Sequence, residues 1–288
     1  MSDRKLKVLC LHAFRTNADI FSTQLDMTGQ RQLLEDLVEF VLLDAPHVCT
    51  KAEEALQYDI VKHFFPSSRH GSYREWINGV EIPANGAAEY KAKSCTYAHL
   101  DDTIKLIGET LASASPPFDG IMGFSQGGSM AAMTIAMQQV GDSRLAKAPK
   151  LKFAWIQSSR IPRDPSCLPL FDKGPITLPC FFSVIEDDKS VLAEESRALI
   201  SKFSDVTLVS VAKGGHGPSP SPKKPDQKEN ANKLRKWLLE RKDAIAKEPP
   251  EPPPEPPKVL SFIESPFTTK VEYEKYVRGE IPLPAAAA

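Results

Sequence analysis

Gly123-Phe124-Ser125-Gln126-Gly127 is the stretch of this chain whose residue types and spacing carry the most explicit chemistry. A β-rich run, Phe118 to Met122, leads into it, and a run of small and apolar residues, Ser129 to Met133, follows. G-x-S-x-G between a strand and a helix is the setting in which a serine rides a sharp, strained turn, its hydroxyl raised above a sheet edge. The helix dipole and free N–H groups at that turn favour a developing negative charge. Glycine on both flanks lets neighbouring backbone pass without a Cβ clash. The chemistry on offer is nucleophilic attack on an acyl carbonyl. An ordinary glycine-rich strand-to-helix turn is the competing reading.

A serine needs a base, and six histidines are present, at 12, 47, 63, 70, 99 and 216. The matching template runs serine, acid, histidine along the chain, each partner on a loop after a strand. His216 alone follows Ser125, in Gly214-Gly215-His216-Gly217 just past the β-rich Val206–Val211. The acid should lie between them. Cys180–Ile185 ends in Glu186-Asp187-Asp188-Lys189-Ser190-Val191, where three carboxylates compete. Asp188 is preferred, because D-x-x-V at a strand end leaves the acid on the loop and Val191 at the start of the next helix. Asp187 and Glu186 stay open, and acidic residues before a helix also serve as caps. The expected oxyanion donors are the backbone N–H groups of Gln126 and Phe14, the latter on the loop after the first strand. His12, on that same loop, is read as a brace. Phe14, Phe64, Phe65, Tyr73, Trp76 and Phe124 are candidate linings of an apolar slot for a medium or long aliphatic acyl chain.

The elements that must position these groups alternate in kind. Short β-rich runs fall at Lys7–His12, Phe40–Leu43, Gly120–Gly123, Phe153–Gln157, Cys180–Ile185 and Val206–Val211. Helical spacing covers roughly Asp19–Leu37, His99–Ala112, Gln126–Gln139, Leu192–Phe203 and Asp226–Ala246. Near-continuous apolar strands alternating with helices predict an α/β fold: a mostly parallel, doubly wound sheet with helices on both faces. Residues 64–98 break the rhythm, as a lid-like insertion would. Fourteen of the 25 prolines lie in 218–288. The run Pro249 to Pro257 excludes helix and central strand. A catalytic domain over 1–247 and a Pro-rich tail over 248–288 are therefore expected. The tail suits either a spacer or a ligand for an SH3- or WW-type groove, with the spacer preferred.

A net charge of -1 over 288 residues gives no reason to expect nucleic acid or an anionic membrane surface as partner. No apolar run is long enough for a membrane span. Five scattered cysteines without a C-x-x-C pair argue against a disulfide framework and a Cys-rich zinc site. The reading is a cytoplasmic protein in a reduced compartment, with no cofactor expected.

LCLHAFRTNADIF, FVLLDAPH, REW, FDGIMGFSQGGSMAA, the D-x-x-V acid loop and GGH occur in the order seen in the FSH family of serine hydrolases, which this chain resembles over nearly all of 5–240. That family includes OVCA-type esterases and fungal polyketide-releasing thioesterases. The resemblance implies an α/β-hydrolase fold, hydrolysis of a small-molecule ester or thioester through an acyl-enzyme, no metal, and a Ser125–Asp188–His216 triad. Three places depart from the pattern: Ala13 stands where the family has Gly, Ile185 where its acid loop has Gly, and Pro218-Ser219-Pro220-Ser221-Pro222 after His216 is unusual. A hydrolase-like fold that binds a ligand or partner without turnover is the alternative; an intact triad argues against it.

Overall fold

The computed structural model describes residues 4–81, 95–248 and Lys275. The chain divides into two compact units, Met1–Ala246 and Lys247–Ala288. Apart from Glu248 and Lys275, the expected Pro-rich tail lies outside the described residues, as does 82–94 of the expected lid-like insertion.

In chain order the strands are β1 (Leu6–Leu11), β2 (Val38–Leu43), β3 (His47–Val48), β4 (Arg74–Glu75), β5 (Asn78–Glu81), β6 (Cys95–Ala98), β7 (Gly120–Phe124), β8 (Phe153–Gln157), β9 (Cys180–Ile185) and β10 (Val206–Val211). The helices are α1 (Ala18–Thr28), α2 (Gln30–Leu34), α3 (Lys51–Ala55), α4 (Asp59–Phe64), α5 (Ser67–His70), α6 (Leu100–Ser113), α7 (Gln126–Val140), α8 (Ala193–Ile200) and α9 (Lys228–Lys247). Six strands form one parallel sheet in the order β10-β9-β8-β7-β1-β2. β3 with β4 and β5 with β6 make two small antiparallel ribbons.

The strand pattern explains the layers. Successive side chains point to opposite faces. On β1, Leu9 and Leu11 pack with Ile121, Ile156 and Phe182 against α6, α7 and α8, while Val8 and Cys10 pack with Met122, Trp155 and Phe181 against α1 and α9. The inner strands β7, β8 and β9 are buried along their whole length and are mostly apolar, as a parallel sheet covered on both faces requires, while the edge strands β2 and β10 are only partly buried and carry Glu39, Thr207 and Ser210. α7 is buried from Gly127 to Gln138, which is why its sequence has no polar face.

Besides the two small ribbons and α5, which no expected element covers, the helices differ from the expected ones at two points. The helix expected over Asp19–Leu37 is two helices, because Gly29 adopts φ 80° and ends α1 as a left-handed C-cap. α3 and α4 fall in a stretch where no helix was expected. α3 begins with a capping box in which the Thr50 side chain accepts from the Glu53 N–H and the Glu53 side chain accepts from the Thr50 N–H.

Candidate active site

The turn between β7 and α7 is built by close approach. A Cβ at Gly123 would lie 2.3 Å from the Gly127 carbonyl oxygen, and one at Gly127 would lie 2.2 Å from the Leu11 carbonyl oxygen. Only glycine lets α7 start this close to β1. Between them Ser125 is held at φ 56° and ψ -119°, a conformation costly for a side chain with Cβ and maintained only when its surroundings over-determine it. They do: the Ser125 N–H donates to the Gln157 carbonyl at 3.0 Å, and its carbonyl accepts from Gly128 and Ser129 N–H groups and the Ser159 hydroxyl.

His216 stands on the loop after β10. Its Nδ1 lies 2.7 Å from Asp188 Oδ2 and its Nε2 2.9 Å from Ser125 Oγ. A carboxylate can only accept here, so Nδ1 carries the proton and Nε2 is left to accept from the serine hydroxyl. The Asp188 side chain is 0% exposed, and its other oxygen accepts from the N–H groups of Ser190 and Val191. Asp187 faces elsewhere: its Oδ1 accepts from the N–H groups of Gly214 and Gly215 at 2.9 and 3.0 Å. Those bonds hold its carboxyl below the ordinary range. Glu186 pairs with Arg197 at 2.5 Å. Of the three competing carboxylates, Asp188 meets the imidazole, Asp187 shapes the histidine loop and Glu186 sits on the surface.

Gln126 is the first residue of α7, so the helix ladder leaves its N–H unpaired. Phe14 lies in the turn from Ala13 to Thr16, closed by the Thr16 N–H donating to the Ala13 carbonyl. Ala13 is not among the residues with positive φ; Arg15 is, at φ 49°. The Ala13 methyl therefore occupies an ordinary backbone conformation and packs in the core. Ile185, the second departure, packs against Gly214, where an added Cβ would sit 3.2 Å from its side chain.

His12 is a brace. It is 0% exposed, its Nε2 accepts from the Ala45 N–H at 3.1 Å, and its Nδ1 lies 2.8 Å from the Ala13 carbonyl oxygen. Burial lowers its pKa to about 4. An unfolded imidazole titrates near 6.5, so between these values the unfolded chain binds a proton that the folded chain does not. Stability present above pH 6.5 is thus lost as pH falls toward 4, by roughly 2–3 kcal/mol at pH 4.5. Urea unfolding at pH 7 and pH 4.5 checks this: His12→Gln should lose less stability than the parent over that interval by about this amount. Equal losses would contradict it.

The expected substrate-lining aromatics are placed unequally. Phe14 keeps partial exposure and Phe64 is exposed. Phe65 and Tyr73 are buried together in a small cluster with Ile20 and Cys49, with the Tyr73 hydroxyl donating to the Phe65 carbonyl. Phe124 is 2% exposed and its ring lies 4.9 Å from that of His216, behind the imidazole. Trp76 is fully buried, and its indole N–H donates to the His12 carbonyl at 2.8 Å. Tyr73, Trp76 and Phe124 therefore offer little surface to an acyl chain; Trp76 braces the His12 loop, Phe124 packs on His216, and Tyr73 belongs to the separate cluster with Phe65.

Two polar side chains tie the site together: that of Gln157, which sequence reasoning did not single out, and that of Gln126, expected only for its backbone N–H. Gln157, at the end of β8, accepts from Ser125 N–H through its backbone and from Ser219 N–H through its side chain, at 2.7 Å. It joins the serine turn to the segment after His216. The Gln126 side chain accepts from the Trp76 N–H and donates to the Ile77 carbonyl. Next to this contact, among the described residues, His47, Glu53 and Glu75 bring one nitrogen and two carboxylate oxygens within 4.8 Å of one another. Glu75 is already committed to Arg15 through its second oxygen.

The family model described as serine hydrolase (FSH1) matches residues 1–243. Esterase OVCA2 of Danio rerio is 30% identical over 221 residues, which cover 75% of this chain and 91% of that protein. Esterase OVCA2 of Mus musculus is 31% identical over 213 residues, covering 73% and 88%. The solved structure of Zea mays acyl-protein thioesterase 2 superposes with a TM-score of 0.51 at 17% identity, covering 83% of this chain and 95% of that one. That likeness is one of fold, the α/β-hydrolase fold.

Proposed function

The chain belongs to the serine hydrolase (FSH1) family, and from that premise we propose that Ser125, His216 and Asp188 are its catalytic triad. It is a serine hydrolase of the esterase type. The observation that carries the proposal is the continuous path from Asp188 Oδ2 through the imidazole to Ser125 Oγ, at 2.7 and 2.9 Å. Ser125 attacks the acyl carbonyl as His216 Nε2 takes its proton. Asp188 holds the Nδ1–H tautomer and stabilises the imidazolium. The backbone N–H groups of Gln126 and Phe14 receive the oxyanion. His216 returns the proton to the leaving alcohol or thiol, and water then attacks the acyl-enzyme by the same route.

A medium or long acyl chain suits the surroundings of the oxyanion loop. Gln57 ties that loop to the α3–α4 segment through the Arg15 carbonyl. That segment exposes Leu56, Tyr58, Ile60 and Phe64. A slot using these side chains should favour longer acyl groups, since each buried methylene contributes about 0.8 kcal/mol. The test is hydrolysis of p-nitrophenyl esters from acetate to octanoate by the purified chain. kcat/KM is expected to rise about tenfold or more along the series. A flat or acetate-peaked profile contradicts the slot, and no turnover of any ester contradicts the triad. Five cysteines, all buried, suit the reduced, cytoplasmic setting expected from the sequence.

A further inference from the structure

Arg74-Glu75-Trp76-Ile77 crosses between the two halves of the expected oxyanion hole. On one side it grips the loop that carries Phe14. The Arg74 N–H donates to the Thr16 carbonyl at 2.7 Å, the Trp76 indole N–H donates to the His12 carbonyl at 2.8 Å, and Glu75 Oε2 accepts from Arg15 Nε at 3.0 Å. On the other side it grips the residue after the serine. The Trp76 N–H donates to Gln126 Oε1 at 3.0 Å, and Gln126 Nε2 donates to the Ile77 carbonyl at 2.9 Å. Thr103, on α6, holds the strut from behind through the Trp76 carbonyl.

The Arg15–Glu75 pair is the charged element in this arrangement, and it is out of solvent, with side chains 6% and 0% exposed. Arg15 sits at φ 49°, a left-handed conformation that a non-glycine residue keeps only when held. What holds it is Glu75 on Nε, the Glu53 carbonyl on Nη1 at 2.9 Å, and Gln57 on its own carbonyl. A buried ion pair adds little net stability compared with apolar residues of similar size. Here it adjoins the Phe14 amide on a strained turn.

Resting on the triad reading above, we propose that Arg15 and Glu75 are positioning residues for the reaction: their ion pair fixes the Phe14 N–H, and the 74–77 strut sets that donor against the Gln126 N–H. Oxyanion stabilisation depends on donors held within tenths of an ångström of the developing charge, and a displaced donor costs about 10²-fold in rate. The group acts through the Phe14 amide and touches no substrate itself.

The experiment is ester kinetics on the full chain, with melting temperature and inhibition by a trifluoromethyl ketone, which forms a tetrahedral adduct. Glu75→Gln should lower kcat about 10²-fold with little change in KM, and weaken the ketone by a similar factor. Because that variant leaves the Arg15 charge buried without its counter-charge, the double variant Arg15→Met/Glu75→Leu separates stability from positioning. It should melt close to the parent yet keep the low kcat and the weak ketone binding. A double variant that regains kcat along with its melting temperature would overturn the proposal. If the double variant fails to fold, Arg15→Lys decides: it keeps the charge but cannot reach both Glu75 and the Glu53 carbonyl, so kcat should fall about tenfold or more. Unchanged kcat in that variant would also overturn the proposal. Ser125→Ala run beside them keeps the two questions apart, because turnover surviving in Ser125→Ala rejects the triad itself, whatever the Arg15 and Glu75 variants show.

Discussion

Ser125→Ala is expected to lower kcat for p-nitrophenyl ester hydrolysis by about 10⁴–10⁶-fold with the fold intact. The size of the effect follows from what the hydroxyl does. Without it no acyl-enzyme forms, and the remaining rate is what the oxyanion donors and binding give a water molecule. The substitution removes one oxygen from a site where the backbone is fixed by Gln157, Gly128, Ser129 and Ser159. None of those bonds uses the Ser125 hydroxyl, so the melting temperature should stay near that of the parent. Steady-state kinetics with a thermal melt checks both parts. A loss of less than tenfold in kcat would show that another group carries the attack.

The second large effect distinguishes adjacent carboxylates. Asp188→Asn should lower kcat about 10⁴-fold, because an amide beside Nδ1 can donate to it and so favours the tautomer that cannot accept the serine proton at Nε2. Asp187→Asn should cost far less, about tenfold or below. Its oxygen accepts from the Gly214 and Gly215 N–H groups, and an amide oxygen retains that role, though a neutral acceptor bonds them more weakly. Both variants are measured at the same pH with the same ester. Equal losses, or a larger loss at Asp187, would contradict the geometry in which Asp188 Oδ2 meets the imidazole at 2.7 Å.

The sheet was readable because it is parallel and its inner strands are covered on both faces, so those strands are near-continuous apolar runs. The serine turn was readable because close packing of α7 on β1 demands glycine at 123 and 127, and glycine leaves a local mark. The carboxylate that meets His216 was readable only to within three residues. Choosing among Glu186, Asp187 and Asp188 depends on where each side chain points after the strand ends, and a residue string holds no such direction. The break at Gly29 went unseen because the apolar spacing continues across it, although glycine is the residue a left-handed cap needs. α3 carried a local sign, Thr50 with Glu53 three residues later, that matches a capping box. The braces had no such sign. Arg15 with Glu75, Gln157 with Ser219 and Gln126 with Trp76 join positions 50 or more residues apart. Trp76 and Tyr73 read as substrate lining because aromatics in an irregular stretch suggest a slot; the fold uses the indole N–H and phenol hydroxyl to satisfy buried carbonyls instead.

Mapping the adduct of a fluorophosphonate probe by peptide mass spectrometry tests the central claim most directly. The phosphonyl group should be found on Ser125 in the parent chain, and labelling should fall at least about 10³-fold in rate when His216 is replaced by Ala. An adduct on any other residue, or labelling at an undiminished rate in His216→Ala, would contradict it.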